Sequence, residues 1–102
     1  MYTEKTFYGG VYIEKGRLEE DKPKYNIEIE YYKTKSFKKY GIEIIKKEYK
    51  EETIKIEKAK IENLTKQEKK RNRILETLKR NEVTPITLPY IMSDMGFTCD
   101  VD

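Results

Sequence analysis

The sequence has no histidine, no tryptophan, one cysteine (Cys99) and two serines, Ser36 and Ser93. Without histidine, the commonest general base and the commonest metal ligand at neutral pH are missing. Neither serine sits in a strand-to-helix elbow beside a candidate base. One thiol makes neither an intrachain disulfide nor a structural zinc site within a single chain. Glycine and proline are sparse, five and three residues, and no stretch reads as a linker or a repeat. No apolar run approaches the length of a membrane span. The start, Met1-Tyr2-Thr3-Glu4-Lys5, has neither the basic n-region nor the apolar h-region of a signal peptide. These absences point away from enzymes, metalloproteins and membrane proteins. No catalytic residue, cofactor or metal site is expected, and a reducing cytoplasm suits a domain this small without a disulfide framework.

What the chain does have is charge and aromatic rings. Charged residues make up 40% of it and hydrophobic ones 36%, with nine Tyr and three Phe, more aromatic content than a disordered chain usually carries. Its 102 residues suit one domain with one thin core, read as a single unit over 1–102 with fraying at 1–5 and 97–102. The net charge of +3 is a small difference between 22 basic and 19 acidic side chains, so it argues only faintly for an anionic partner. Local charge is more informative. Thr65 to Asn81 carries seven basic residues against Glu68 and Glu76, while Glu82 to Asp102 carries four acids and no base. The weight of Lys, Ile, Glu, Tyr and Asn suits an AT-rich bacterial or phage genome.

Periodicity supplies the elements. Phe7 to Ile13 is aromatic and β-branched around Gly9-Gly10, which predicts a strand with a bulge or bend at the glycines; Gly16 and Pro23 fall in the charged loop after it. Tyr25, Ile27, Ile29 and Tyr31 alternate with Asn26, Glu28 and Glu30, the pattern of a half-buried strand. Lys33 to Lys39 reads as a basic turn region. Tyr40 to Tyr49 returns as a third strand, but Ile42 and Ile44 share one face while Ile45 and Tyr49 share the other, which predicts a bulge near Ile44-Ile45. After a turn at Lys50-Glu51-Glu52, Ile54 and Ile56 oppose Ala59 and Ile61 in the same way. Short connections favour an antiparallel meander.

Thr65 and Glu68 have the spacing of a capping box, predicting a helix from Thr65 to about Asn81. Ile74, Leu75 and Leu78 fall in one arc; Gln67 and Arg71 occupy that arc in the first turns, so the helix should project past the sheet at its start. Leu88, Ile91, Met92 and Met95 then recur at helical spacing, with Thr87 as cap, Pro89 in the first turn and Gly96 as stop. The predicted fold is α+β: a four-stranded antiparallel meander packed on one face by a C-terminal helix and a second short helix. The runs Tyr40-Gly41-Ile42-Glu43-Ile44, Ile74-Leu75-Glu76-Thr77-Leu78 and Val83-Thr84-Pro85-Ile86-Thr87-Leu88 resemble a family of small clostridial proteins known as a domain of unknown function. The likeness spans about residues 25 to 95; its motifs are caps and core positions, so it implies one folded unit and no activity.

Three surfaces stand out. Lys66, Lys69, Lys70, Arg73 and Arg80 share an arc opposite the apolar stripe, which suits either phosphates or a plain solvated face. In the segment 31–40, lysines Lys33, Lys35, Lys38 and Lys39 interleave with Tyr31, Tyr32, Phe37 and Tyr40. Single-stranded nucleic acid would use such a pattern, and so would a hairpin tip whose lysines protect a sheet edge. The tail from Met95 to Asp102, with Phe97 and Cys99, is either a docking peptide or a frayed end. The sequence is read first as a small regulatory or inhibitory protein that binds another protein, with a homodimer allowed by the aromatic content. Its alternative is an RNA or single-stranded nucleic-acid binder using 33–39 and 66–80. An exposed cluster from Tyr32 and Tyr49 on the polar sheet face would favour a protein partner or self-association.

Overall fold

The computed structural model describes residues 4–14, 25–37 and 39–95. The loop glycine Gly16, Lys38, Gly96 and the tail with Phe97 and Cys99 lie outside them. The element order is β1 (Glu4–Ile13), β2 (Asn26–Ser36), β3 (Lys39–Tyr49), β4 (Ile54–Thr65), α1 (Glu68–Arg80) and α2 (Leu88–Asp94). The strands form one antiparallel sheet in the order β1-β2-β3-β4. This is the α+β meander that the alternating segments predict, with both helices following it in sequence.

The core lies between the sheet and the helices. Ile29 and Tyr31 of β2, with Ile42 and Ile44 of β3, meet Ile74, Leu75 and Leu78 of α1, Val83 of the connection, and Leu88 and Met92 of α2. Val11, Ile13, Ile27, Ala59, Ile61 and Leu64 close its margins. Met95, the fourth member of the α2 stripe, is exposed.

Five expectations need correction. There is no bulge at Ile44-Ile45, because the pairing of β3 with β2 and with β4 runs unbroken through both residues. Ile45 simply faces the other side, and so do Ile54 and Ile56 in β4, where no slip occurs either. The real irregularities are elsewhere. β1 shifts register between Phe7 and Gly9, leaving Tyr8 bulged. β3 and β4 shift where Tyr40 pairs with Thr65 but Ile42 pairs with Ile61, so Gly41 alone opposes residues 62–64. A Cβ on Gly41 would stand 2.1 Å from the Ile61 carbonyl oxygen and 2.6 Å from that of Glu62; only glycine fits under the crossing chain.

The basic turn region also contracts. β2 continues through Lys33, Thr34, Lys35 and Ser36, which pair with β3 as far as Ser36 opposite Lys39, so the turn starts only at Phe37. Phe37 takes a positive φ of 53°, the left-handed conformation that tight hairpin turns use.

The start of α1 differs as well. Its N-cap is Gln67, without a side-chain cap. Thr65 is held in β4 opposite Tyr40, and its Oγ1 accepts from the Gln67 N–H at 3.1 Å, so the capping box with Glu68 does not form. Nor does the first turn project past the sheet. Arg71 is buried, and its Nη1 donates to the carbonyl oxygens of Thr34 at 2.8 Å and Gly41 at 3.2 Å. At the other end Asn81 caps the helix, at the boundary the spacing predicts. Glu82 N–H donates to Lys79 O and Val83 N–H to Leu78 O, at 3.1 and 3.0 Å, with Glu82 at φ 52°. This is a Schellman turn built on a non-glycine residue, with Leu78 and Val83 supplying its apolar contact.

Candidate functional site

Because the helices cover one face of the sheet, the other is left open. Alternation along each strand decides what it displays. Reading across the pairing from β1 to β4, one row is Tyr12, Glu28, Lys47 and Ile56, and the next is Gly10, Glu30, Ile45 and Lys58. A third is Phe7, Tyr32, Glu43 and Lys60, and at the opposite end Tyr49 lies between Asn26 and Ile54. Phe7, Tyr12, Ile54 and Ile56 are each more than half exposed, at 57, 53, 55 and 52%. Large apolar side chains this open on one face are uncommon on a monomer that binds nothing.

The polar groups between them are held in place. Tyr49 Oη donates to Glu28 at 2.8 Å, and Tyr32 Oη donates to Glu30 at 3.2 Å. Lys47 Nζ sits 3.3 Å from Glu30, and Lys5 Nζ sits 3.2 Å from Glu43. Lys5 also lies over the Tyr32 ring at 4.5 Å, and Phe7 meets that ring edge-on with centroids 5.5 Å apart. The hydrogen bond to Glu28 raises the Tyr49 pKa, with burial adding to it. For Tyr32 burial is the larger cause of a rise, reinforced by Glu30. Both hydroxyls therefore stay protonated donors at neutral pH. The face is a fixed lattice of rings and aliphatic chains around charges already paired, the composition that favours protein interfaces.

The residues singled out from sequence disperse. Lys69, Arg73 and Arg80 are exposed on the side of α1 away from the sheet, with Lys70 half-buried beside them, while Lys66 is exposed in the bend that precedes the helix. Lys33 and Lys35 point to the helix side, Lys33 over the Tyr8 ring and Lys35 over the Tyr40 ring, at 5.6 and 5.7 Å. They border a shallow cleft of about 170 Å³ shared with Glu4, Thr6, Thr34, Glu68 and Arg71. Tyr8 donates to Glu76 Oε2. Tyr32 belongs to the open face, Phe37 stands 78% exposed at the hairpin tip, and Lys39 is exposed. Tyr31 is in the core and Tyr40 packs under the Arg71 guanidinium at 5.2 Å. The lysine and aromatic interleaving of 31–40 is thus divided between opposite sides of the sheet, whereas Tyr32 and Tyr49 do share one face. Burial lowers the Arg71 pKa, opposed by Glu68.

Sequence reasoning did not assign Phe7, Tyr12, Ile54 and Ile56 to this face. The signal was present: apolar residues at both parities of β3 and β4 mark a sheet with two apolar faces, and a bulge is not needed to reconcile them. Among the described residues no helix is long and apolar enough to cross a membrane, and no group of three or more His, Cys, Asp or Glu is placed to hold a metal ion.

A meander with two trailing helices and an open, ring-studded face defines a small α+β protein. The model of a family of unknown function, DUF6514, matches residues 5–96, and the chain belongs to that family. No curated protein and no solved structure matches it.

Proposed function

We propose that the chain is a small non-catalytic regulatory or inhibitory protein that acts by binding another protein on the open face of its sheet. The observation that carries this reading is the exposure of Phe7, Tyr12, Ile54 and Ile56 around Tyr32 and Tyr49 on the side the helices leave bare. Tyrosine and other large side chains on a rigid scaffold lose little conformational freedom on docking, which is why they dominate interface energetics. The strands that carry Tyr32 and Tyr49, β2 and β3, are paired on both sides, and those that carry Phe7, Tyr12, Ile54 and Ile56 are each paired along an inner strand, so the surface is preorganised. A cytoplasmic setting in a bacterium or phage fits the single cysteine and the Lys-, Ile- and Glu-rich composition.

The nucleic-acid reading draws less support. Of its aromatics only Tyr40 lies with Lys33 and Lys35, already covered by Lys35 and the Arg71 guanidinium, while Tyr32 is on the other face and Tyr31 in the core; Glu4 and Glu68 border the cleft that Lys33 and Lys35 line. Stacking and phosphate contact need both on one track.

The test compares capture of host proteins by the wild-type chain, by the face variant Tyr12→Lys/Ile56→Lys and by the helix variant Lys69→Glu/Arg73→Glu. A stoichiometric partner held by the wild type and the helix variant but lost from the face variant supports the reading. A partner lost only from the helix variant, or retention of RNA in its place, would sink it.

A further inference from the structure

The open face has a symmetry of its own. The sheet order β1-β2-β3-β4 has its midline between β2 and β3. The row Tyr12, Glu28, Lys47, Ile56 places an apolar side chain on each edge strand, an acid on one inner strand and a base on the other. Turned by 180° about a line along the strands at that midline, the row lands on its own complement. Tyr12 comes over Ile56, and Glu28 comes over Lys47. The row Phe7, Tyr32, Glu43, Lys60 behaves likewise, setting a ring over Lys60 and the Tyr32 ring over Glu43, whose carboxylate accepts from the ring edge or hydroxyl. In the row Gly10, Glu30, Ile45, Lys58 only Ile45 is apolar, and it meets the aliphatic stem of Glu30.

We infer that the occupant of this face is a second copy of the chain, packed sheet on sheet about a two-fold axis parallel to the strands. The inference rests on reading the open face as a docking surface and names a second copy as its occupant in the free protein, which a bound partner would displace. A two-fold interface must be self-complementary, and a patch that opposes its own charges correctly under one rotation meets that requirement without any other partner. Strand directions in such a pair stay nearly aligned, as they do in sandwiches, where sheet twist sets an angle of about 30°. The size falls short of a typical interface as a flat projection and approaches it only with side-chain relief. Strands of 10 to 12 residues at a rise of about 3.3 Å and a spacing of about 4.8 Å give a face of roughly 600 Å² before side-chain relief. A stable interface takes about 800 Å² per partner. Tyr12, Ile54, Ile56 and Phe7, the most exposed large side chains of this face, are the ones the dimer covers.

Sedimentation velocity from about 5 to about 200 μM tests the inference with the wild type, Ile56→Lys, Glu28→Lys, Lys47→Glu, and an equimolar mixture of the last two, each confirmed folded by circular dichroism. The wild type should sediment as a dimer. Each single change should raise the dissociation constant more than about a hundredfold, because two-fold symmetry makes every like-charge contact occur twice. The mixture should dimerise again, since the lysine introduced at position 28 of one variant then faces the glutamate introduced at position 47 of the other, while the unaltered Lys47 of the first faces the unaltered Glu28 of the second. Mixing cannot repair contacts within a chain, so recovery isolates the contact between chains. A monomeric wild type, a dimer indifferent to Ile56→Lys, or a mixture that stays monomeric overturns the inference. A monomer that still captures a host protein through the same face removes the dimer alone, whereas a monomer that captures none removes the docking reading too.

Discussion

The Arg71 guanidinium reaches the Gly41 carbonyl at 3.2 Å, at the point where β3 loses its regular pairing with β4. The same Nη1 donates to Thr34 O, Nε donates to Asn72 Oδ1 at 2.7 Å, and Glu68 lies 3.6 Å from Nη2. A single charged side chain thus joins β2, β3 and the first turn of α1. Replacing it with alanine removes a charged donor from two buried carbonyl oxygens. Arg71→Ala should cost about 2–4 kcal/mol in urea unfolding. Arg71→Lys should recover only part of that loss, because an ammonium cannot reproduce the planar fork. Equal stability of all three proteins would show that the guanidinium holds nothing together.

Two glycines offer a contrast of the same kind. A methyl group at Gly41 collides with backbone oxygens at 2.1 and 2.6 Å, whereas one at Gly9 meets the end of the Lys79 side chain at 2.8 Å. A carbonyl in a paired strand cannot move aside, but a lysine tip can. Gly41→Ala should therefore destabilise by more than about 3 kcal/mol or fail to fold, while Gly9→Ala should cost less than about 1 kcal/mol. Thermal melts of the two variants side by side decide it.

How much of this was legible in the sequence follows from what each residue had to reveal. β2 and the second half of α1 were readable because their apolar residues repeat with one period against one core. The end of β2 was not, since Lys33, Thr34, Lys35 and Ser36 are polar at every position and the strand is fixed there by neighbours on both sides. Arg71 looked like an interruption of the apolar stripe because its partners are backbone carbonyls 37 and 30 residues away, invisible to any local pattern. The open face was encoded in Ile45, Tyr49, Ile54 and Ile56, yet a rule that allows only one apolar side per sheet turned it into a register slip. Tyr32 and Tyr49 sharing that face followed directly from alternation.

Tyr31 and Val83 give a pH-dependent prediction. The buried Tyr31 hydroxyl donates to Val83 O at 2.8 Å, tying β2 to the Schellman turn. Burial pushes its pKa well above the ordinary tyrosine value, and Glu82 adds to the rise. The folded state therefore keeps its proton where the unfolded chain has lost it, so stability is complete below about pH 10 and falls as pH climbs beyond that. Tyr8, Tyr32 and Tyr49 shift in the same direction. Tyr31→Phe should cost about 1–2 kcal/mol at pH 7, by stranding the Val83 carbonyl. Its deficit should shrink as melts are taken from pH 9.5 towards about pH 11.5. A constant gap would mean that the hydroxyl does not titrate with unfolding.

Phe37 pays twice for its position at the hairpin tip, being 78% exposed with a φ of 53°. A left-handed backbone costs a bulky residue about 1–2 kcal/mol, which asparagine tolerates far better. Phe37→Asn should therefore stabilise the domain by about 0.5–1 kcal/mol, raising Tm by a few degrees. A lower Tm would mean that the ring makes a compensating contact in solution.

The basic side of α1 provides the last prediction, because it separates a solvated surface from a working one. Lys69, Arg73 and Arg80 face away from the sheet and Lys66 is exposed just before the helix, and exposed charges of this kind contribute little to folding. Lys69→Glu/Arg73→Glu should shift stability by less than about 0.5 kcal/mol. It should also elute earlier from heparin, since any polyanion is sensitive to the removal of cations and their counterion release. The discriminating quantity is the salt dependence of binding to a single-stranded RNA oligonucleotide. If this helix is only a solubilising surface, wild type and variant should both fail to retain RNA at about 150 mM salt. Retention by the wild type with a steep salt slope that flattens in the variant would instead make α1 a phosphate-tracking surface and return the nucleic-acid reading to first place.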